Sequence, residues 1–123
     1  ERNDYRRLKE AGIRVPEMLD IDLEKERILK AYIPGPTIYG LVKCDGVKPE
    51  YFHQVRHMAW QAQQAGLNID YFPTNFVVHE GKLWYVDYEC NPYMEQWDFQ
   101  HWGIRYWSQT EEFLAYRDQH PTV

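Results

Sequence analysis

A long amphipathic stretch, followed by a polar loop and a tight hairpin, constrains this chain most because together they occupy residues 49–87. Pro49 suits the first turn of a helix, and Gly66 suits its end. Between them, apolar residues recur at helical spacing and predict one buried stripe: Phe52, Val55, Ala59 and Ala62. Two short apolar runs, 76–78 and 83–86, flank a turn containing Gly81 and predict a β-hairpin. The loop 68–76 is therefore held between a buried helix and a strand.

The rest of the chain alternates helical and extended patterns. Thr37 and Thr110 are predicted helix N-caps, and Gly35 stands between two prolines in a rigid break. The predicted elements are a helix over 4–11, a hairpin of strands near 18–21 and 27–33, a break at 34–36, a short helix over 37–42, and helices over 96–106 and 111–119. This order predicts an α+β fold that is mostly helical. The early hairpin cannot bury two faces by itself, so we expect it to pair with strands outside this chain.

The composition disfavours several function classes. The formal net charge is −5, which disfavours nonspecific nucleic-acid binding because such binding neutralises phosphates with Lys and Arg. No apolar run approaches the ~20 residues that span a bilayer, and no signal peptide is visible, so we expect a cytoplasmic protein without a membrane partner. Cys44 and Cys90 are too few for a disulfide scaffold and are expected to be reduced. The chain opens at Glu1, inside a helical pattern, and we interpret it as a piece of a longer protein.

Three side chains around the polar loop form a set suited to phosphoryl transfer. Asp70 opens the loop, Asn75 follows it, and Asp87 ends the hairpin. A carboxylate beside a substrate hydroxyl can orient that hydroxyl and accept its proton. An amide oxygen and a second carboxylate are hard oxygen ligands of the kind that Mg²⁺ prefers. Alone, an Asp followed by an Asn is also typical of a turn with Asx hydrogen bonds, and Asp87 of a carboxylate that caps a turn.

The order and spacing of these motifs resemble the protein-kinase-like superfamily. Asp70-Tyr-Phe-Pro-Thr-Asn75 resembles the catalytic loop Asp-x-x-Pro-x-Asn, and residues 76–87 resemble the hairpin that leads to the magnesium-binding Asp. Residues 28–35 resemble the fifth strand and hinge, and residues 11–16 resemble the run after the regulatory helix in small bacterial and atypical kinases. The resemblance implies a kinase-like C-terminal lobe over 34–123, with 1–33 as the remnant of an N-terminal lobe.

The resemblance implies a role for each matching residue. Asp70 would be the catalytic carboxylate, and Asn75 and Asp87 would bind Mg²⁺ and, through it, ATP. The backbone of Ala31 and Ile33 would meet the adenine edge of ATP.

The implied activity is that of a Ser/Thr protein kinase, which transfers the γ-phosphoryl group of ATP to a protein Ser or Thr; a small-molecule hydroxyl is the other implied acceptor. Register further implies that Lys30 lies near the gatekeeper position and that Glu1 pairs with a Lys of the missing N-terminal lobe. The 123 residues contain no Gly-rich phosphate loop and no strand Lys ahead of a helix, so we expect this piece alone to be inactive or nearly so. A pseudokinase or scaffold that binds a nucleotide or a partner without turnover is the alternative.

The sequence departs from the family pattern around both motifs. Asn68 and Ile69 stand where kinases carry His and then Arg or Gly, which implies that no activation-loop phosphate clamp exists. Tyr88 and Glu89 replace Phe-Gly, and the Asp-Tyr-Glu form is closer to atypical kinases and to aminoglycoside or choline phosphotransferases. No Ala-Pro-Glu motif follows.

Two other patterns have both a functional and a structural interpretation. His53 and His57 have the i, i+4 spacing of a zinc pair, but no third ligand follows, so a solvated helix face is favoured. The aromatic residues from Trp97 to Trp107 could stack on a base or a ligand, but packing in the core is favoured.

Overall fold

The computed structural model describes residues 2–121; Glu1 and residues 122–123 lie outside the described part. Within it, the helices are α1 (Arg2–Glu10), α2 (Ile38–Lys43), α3 (Pro49–Gln64) and α4 (Glu111–Gln119). The strands are β1 (Met18–Asp22), β2 (Arg27–Lys30), β3 (Leu67–Ile69), β4 (Phe76–His79), β5 (Lys82–Tyr85) and β6 (Cys90–Pro92). They pair as three antiparallel two-stranded sheets, β1–β2, β3–β6 and β4–β5. The predicted α+β class is confirmed.

The predicted early hairpin forms, but its second strand is shorter than predicted. β2 ends at Lys30, and the ladder closes with the Ala31 amide donating to the Glu17 carbonyl at 2.8 Å. The next residue on the opposite side is Pro16, which has no N–H to donate. Its carbonyl is also occupied, because it accepts the Tyr88 hydroxyl at 2.8 Å. The chain therefore leaves the sheet at this point instead of continuing to residue 33.

Residues 31–37, here called the hinge segment, lie against β4. The Val78 amide donates to the Pro36 carbonyl at 3.0 Å, and Thr37 forms a β-bridge with Val77. Gly35 has a φ of +146°, and a Cβ there would lie 1.9 Å from the Val78 carbonyl oxygen. Only glycine permits this approach. The hinge segment is thus fastened to the hairpin that carries the candidate site.

The predicted caps at the short and the last helix are confirmed. The Thr37 hydroxyl accepts the Gly40 amide at 3.0 Å at the start of α2. The Thr110 hydroxyl accepts the Phe113 amide at 3.1 Å at the start of α4. Each cap satisfies an amide that has no partner within the helix.

The long helix α3 forms as predicted, with its buried face rotated slightly from the predicted stripe. Its buried residues are Tyr51, Val55, Met58 and Ala62, which keep the helical i, i+4, i+7 spacing. Phe52 and Ala59, which the prediction included, lie at the edge of the core instead. Phe52 packs there against Trp107, with 6.0 Å between ring centroids.

Residues 67–69 form a strand that the sequence prediction missed. β3 pairs with β6, and Asn68 lies opposite Asn91. A strand of three residues is too short to give a readable alternation of polar and apolar residues. The predicted β4–β5 hairpin is confirmed, with Phe76 paired to Tyr85. Together, the two pairings bring both ends of the polar loop next to residues 86–90.

The predicted helix over 96–106 is wrong. This stretch forms two 3-10 turns, Glu95–Trp97 and Gly103–Tyr106. Between them Asp98 adopts an extended conformation (φ −77°, ψ 175°), and its carboxylate accepts the His101 amide at 2.8 Å. An Asp side chain that bonds a nearby amide offers the backbone an alternative to the helix.

The aromatic block is divided between core and surface. Phe99 and Trp107 are buried, which confirms the prediction of core packing for these two residues. Trp97 is 50% exposed, so the prediction is wrong there. His53 and His57 are exposed on α3, as predicted for a solvated face.

Cys44 is an exposed free thiol, and Cys90 is a buried one. Among the helices between residues 2 and 121, none has the length and apolar character needed to cross a membrane.

Candidate active site

Asp70 follows directly after β3 and is held by its backbone. Its amide donates to the Tyr85 hydroxyl at 3.0 Å, and one carboxylate oxygen, Oδ1, accepts the Phe72 amide at 3.1 Å. This second bond is an Asx turn, the structural interpretation of the motif, and it also fixes the carboxylate. The other oxygen, Oδ2, makes no hydrogen bond to any described residue. Asp70 is half-buried, so a small molecule can reach that oxygen.

Asn75 closes the loop at the end of the 3-10 turn Pro73–Asn75. Its side-chain nitrogen donates to the Asp70 carbonyl at 3.3 Å, and its side-chain oxygen has no hydrogen-bond partner among the described residues. Its own carbonyl accepts the Val86 amide at 2.9 Å. Because Val86 precedes Asp87, the loop is fastened next to the second carboxylate of the predicted set.

Asp87 lies just beyond the end of β5. Its Oδ1 accepts the amides of Tyr88 at 2.7 Å and Glu89 at 3.3 Å, while Oδ2 has no partner within the described residues. Asp87 therefore caps a turn, which is the structural alternative for this residue, yet one of its oxygens stays available. The structure brings Asp70, Asn75 and Asp87 to one edge of the β4–β5 hairpin.

Two residues that the sequence analysis did not single out hold this edge together. The Tyr85 hydroxyl, besides accepting the Asp70 amide, donates to the Glu89 carbonyl at 2.7 Å. Burial raises the pKa of the Tyr85 hydroxyl far above its ordinary value, so the hydroxyl remains a donor. The Trp107 indole donates to the Tyr71 carbonyl at 2.8 Å from inside the core. The position of Tyr85, two residues before Asp87 in the predicted hairpin, was the signal from which its contacts could have been predicted. No sequence signal predicts the contact between Trp107 and Tyr71.

Negative charge is concentrated at this edge. Desolvation raises the pKa of the Glu89 carboxyl, and the charges of Asp70, Asp87 and Asp4 raise it further. The charges of Asp70 and Asp87 thus act on Glu89, and such a concentration of negative charge favours a bound cation. The negative charge lies where the sequence predicts a Mg²⁺ site.

The donor set fits a magnesium ion. The free oxygens are one amide oxygen, from Asn75, and one carboxylate oxygen, from Asp87. Mg²⁺ commonly takes one or two protein oxygens and completes its octahedron with waters and phosphate oxygens. Within residues 2–121, no group of three or more His, Cys, Asp or Glu side chains is placed to hold a metal, so a tight, all-protein metal cage is not what this site offers.

An apolar cleft lies between the hinge segment and the hairpin. Its volume is about 330 Å³, and its lining includes the predicted adenine-contacting residues Ala31 and Ile33 together with Val77 and Val86. The Ala31 amide is already bonded to Glu17, so Ala31 can offer only its carbonyl. The Ile33 amide has no acceptor among the described residues. Ala31 and Ile33 thus carry a free backbone acceptor and a free backbone donor on alternate residues.

Lys30 borders the same cleft, near the predicted gatekeeper position. Its ammonium donates to the Val86 carbonyl and lies 5.1 Å from the centre of the Tyr88 ring. Lys30 is thus held by the two residues that flank Asp87 in the sequence.

A second cavity, of about 520 Å³, adjoins Asp70 on the other side. Asp70 and Glu89 contribute to its polar wall, and Trp97 and Trp102 to its apolar wall, with 5.9 Å between the two tryptophan ring systems. Asn68 lines its base and is buried, with its side-chain nitrogen bonded to the Met94 carbonyl at 2.9 Å. The half-exposed Trp97 thus belongs to a cavity next to the predicted catalytic carboxylate.

No protein-family model matches this sequence, and no match was found among curated proteins. The role that the resemblance implies for Glu1 lies outside the described residues. What supports a function is therefore the motif set and the geometry described above.

Proposed function

We propose that this chain is the catalytic-loop part of an ATP- and Mg²⁺-dependent phosphotransferase of the protein-kinase-like kind. The proposal rests on one observation: Asp70, Asn75 and Asp87 lie together at one edge of the hairpin, and each has an oxygen that makes no hydrogen bond. The two bonds of the Tyr85 hydroxyl stiffen this edge, and preorganised groups are what phosphoryl transfer requires.

Each residue has a distinct part in the proposed reaction. Asp70 Oδ2 accepts a hydrogen bond from the acceptor hydroxyl and orients it. It takes the hydroxyl proton as the new P–O bond forms, while the bond from the γ-phosphorus to the β,γ-bridging oxygen of ATP breaks and ADP leaves. Asn75 and Asp87 would hold the magnesium ion, which neutralises phosphate charge. The apolar cleft at Ala31 and Ile33 receives the adenine ring.

The acceptor enters from the cavity lined by Trp97 and Trp102. A concave site with aromatic walls and a few polar groups is typical of small-molecule binding. This favours a small-molecule hydroxyl over a protein Ser or Thr as the acceptor. A protein acceptor remains the second candidate, and a panel of both kinds separates them.

The proposal is tested first by nucleotide binding to this chain. Calorimetry with ATP should give 1:1 binding that depends on Mg²⁺, and Asp87→Asn should abolish the dependence on Mg²⁺. Asp45→Asn is the matched control, because Asp45 is exposed in a loop with a positive φ (55°) that Asn tolerates. Absence of ATP binding at millimolar concentration, or equal effects of both variants, would contradict the proposal.

Transfer is tested with γ-labelled ATP and a panel of protein and small-molecule acceptors. The chain has no Gly-rich phosphate loop and should turn over little, so the assay uses a high protein concentration and long incubation. Asp70→Asn should remove the transfer while ATP binding persists. ATP binding without transfer to any acceptor would instead favour the pseudokinase alternative.

A further inference from the structure

A third cavity, of about 480 Å³, lies on a different face of the molecule, between α3, the turn after α1 and the start of β5. Its charged and titratable lining residues are Arg14, His53, His57 and Lys82. No carboxylate lines this cavity among the described residues. In a chain of net charge −5, a cavity with two permanent cations and two histidines is an isolated region of positive potential. We refer to it as the basic cavity.

Arg14 is held in place at the wall of the basic cavity. Its guanidinium donates through Nη1 to the Leu83 carbonyl at 3.2 Å and lies 5.8 Å from the centre of the Trp84 ring. Its carbonyl accepts the Tyr85 amide at 2.9 Å, which fixes the backbone at the same point. The remaining guanidinium N–H groups are therefore presented without the entropy loss that an exposed Arg would incur on binding.

The hairpin that supplies Lys82 is also fixed to α3. The Gln54 amide nitrogen donates to the Gly81 carbonyl at 2.9 Å, and the Gln54 oxygen accepts the Leu83 amide at 2.8 Å. On the opposite wall, the Gln61 amide donates to the Gly12 carbonyl at 3.2 Å. Both sides of the basic cavity are thus tied to one helix, so the spacing of its cations is set by the fold.

We propose that the basic cavity binds a small phosphate-bearing anion. Arg14 can bond phosphate oxygens with two N–H groups, and Lys82 adds a point charge from the facing wall. The rings of His53 and His57 supply N–H donors from consecutive turns of α3. Lys82 opens β5 and Asp87 lies two residues beyond its other end, and β5 alone spans roughly 10 Å at the usual rise per strand residue, so this site is separate from the candidate active site.

The test is a titration with inorganic pyrophosphate in EDTA, without Mg²⁺, so that the candidate Mg²⁺ site cannot take part. Amide and histidine-ring NMR signals report the site, at ionic strength matched with chloride. We expect saturable 1:1 shifts at residues 12–14, 53–61 and 81–83, with signals of residues 70–75 and 87–89 unchanged.

Lys82→Gln should weaken pyrophosphate binding about tenfold, the loss typical of one charge-assisted hydrogen bond. Lys25→Gln is the matched control, since it removes the same charge from an exposed turn of the other hairpin. Both substitutions leave backbone pairing intact.

Equal weakening by Lys25→Gln and Lys82→Gln would reveal general charge attraction and overturn the proposal, as would shifts that do not saturate. Shifts confined to residues 70–75 would likewise contradict a separate site. None of these outcomes depends on whether the chain takes part in phosphoryl transfer.

Discussion

The Tyr85 hydroxyl accepts the amide hydrogen of Asp70 at 3.0 Å, across 15 residues of sequence. The same hydroxyl donates to the Glu89 carbonyl at 2.7 Å, so one oxygen joins the start of the polar loop to the segment after Asp87. The relative position of the two carboxylates at the candidate active site therefore depends on a residue that touches neither carboxylate group.

Tyr85→Phe should lower the free energy of unfolding by about 1–3 kcal/mol, because it leaves the Asp70 amide and the Glu89 carbonyl without their partner. Tyr39→Phe is a matched control, since the Tyr39 hydroxyl is buried with no hydrogen-bond partner and its removal should be neutral or stabilising. Urea denaturation measures both. Equal losses would show that the Tyr85 bridge contributes nothing specific.

Gly35→Ala should destabilise the protein by at least about 2 kcal/mol, because the new Cβ would meet the Val78 carbonyl oxygen and the backbone has a φ of +146°. Gly81→Ala has a comparable positive φ (+76°) but no atom within 4 Å, so only backbone strain of about 1–2 kcal/mol is expected there. The difference in unfolding free energy between the variants isolates the contact between the hinge segment and β4. If Gly35→Ala lowers the unfolding free energy less than Gly81→Ala does, the proposed contribution of this contact to stability is contradicted.

Trp107→Phe should cost about 2–4 kcal/mol, since it opens a cavity in the core and leaves the Tyr71 carbonyl unpaired. Trp97→Phe, at a half-exposed position, should stay within about 0.5 kcal/mol of the unmodified protein. Trp97 lines the cavity that we propose admits the acceptor. In transfer assays, Trp97→Phe should therefore raise the acceptor KM more than Trp107→Phe does. An unchanged acceptor KM in both variants would show that Trp97 does not contribute to acceptor binding.

The raised pKa of Glu89 predicts a pH dependence of stability. Burial and the neighbouring carboxylates hold this pKa above the ordinary value of 4.5, so the folded state binds the Glu89 proton more tightly than the unfolded state does. The corresponding stability is present below pH 4.5 and is lost as pH rises through the folded-state pKa. Glu89→Gln should remove this loss, so that its stability relative to the unmodified protein increases from pH 4 to pH 7. Denaturation curves over that range measure it, and a constant difference would contradict the assignment.

Local patterns predicted much of the fold. The caps at Thr37 and Thr110, the end of α3 near Gly66 and the β4–β5 hairpin all follow from interactions within a few residues of sequence. Such interactions are readable because helix periodicity, capping and turn chemistry are local. The predicted helix over 96–106 failed for a local reason as well, since the bond from the His101 amide to Asp98 outweighed helical spacing.

The parts of the site that depend on contacts between distant residues could not be predicted from the sequence. The β3–β6 pairing joins residues 67–69 to residues 90–92, and neither strand is long enough to show a pattern. Half-exposed Trp97 and buried Trp107 come from the same aromatic block, and no spacing rule separates them. The basic cavity likewise draws Arg14 and Lys82 from distant positions, each an ordinary surface cation in the sequence.

The sequence by itself determined the candidate set of Asp70, Asn75 and Asp87 and the local elements that carry them, because turn and strand chemistry acts over short separations. Only the tertiary structure decided that Tyr85 joins the two carboxylate segments, that Asn75 and Asp87 each keep one oxygen free, and that Asp70 and Val86 line two cavities at the site. These features depend on hydrogen bonds and packing between residues far apart in the chain, and such contacts exist only once the whole core has formed.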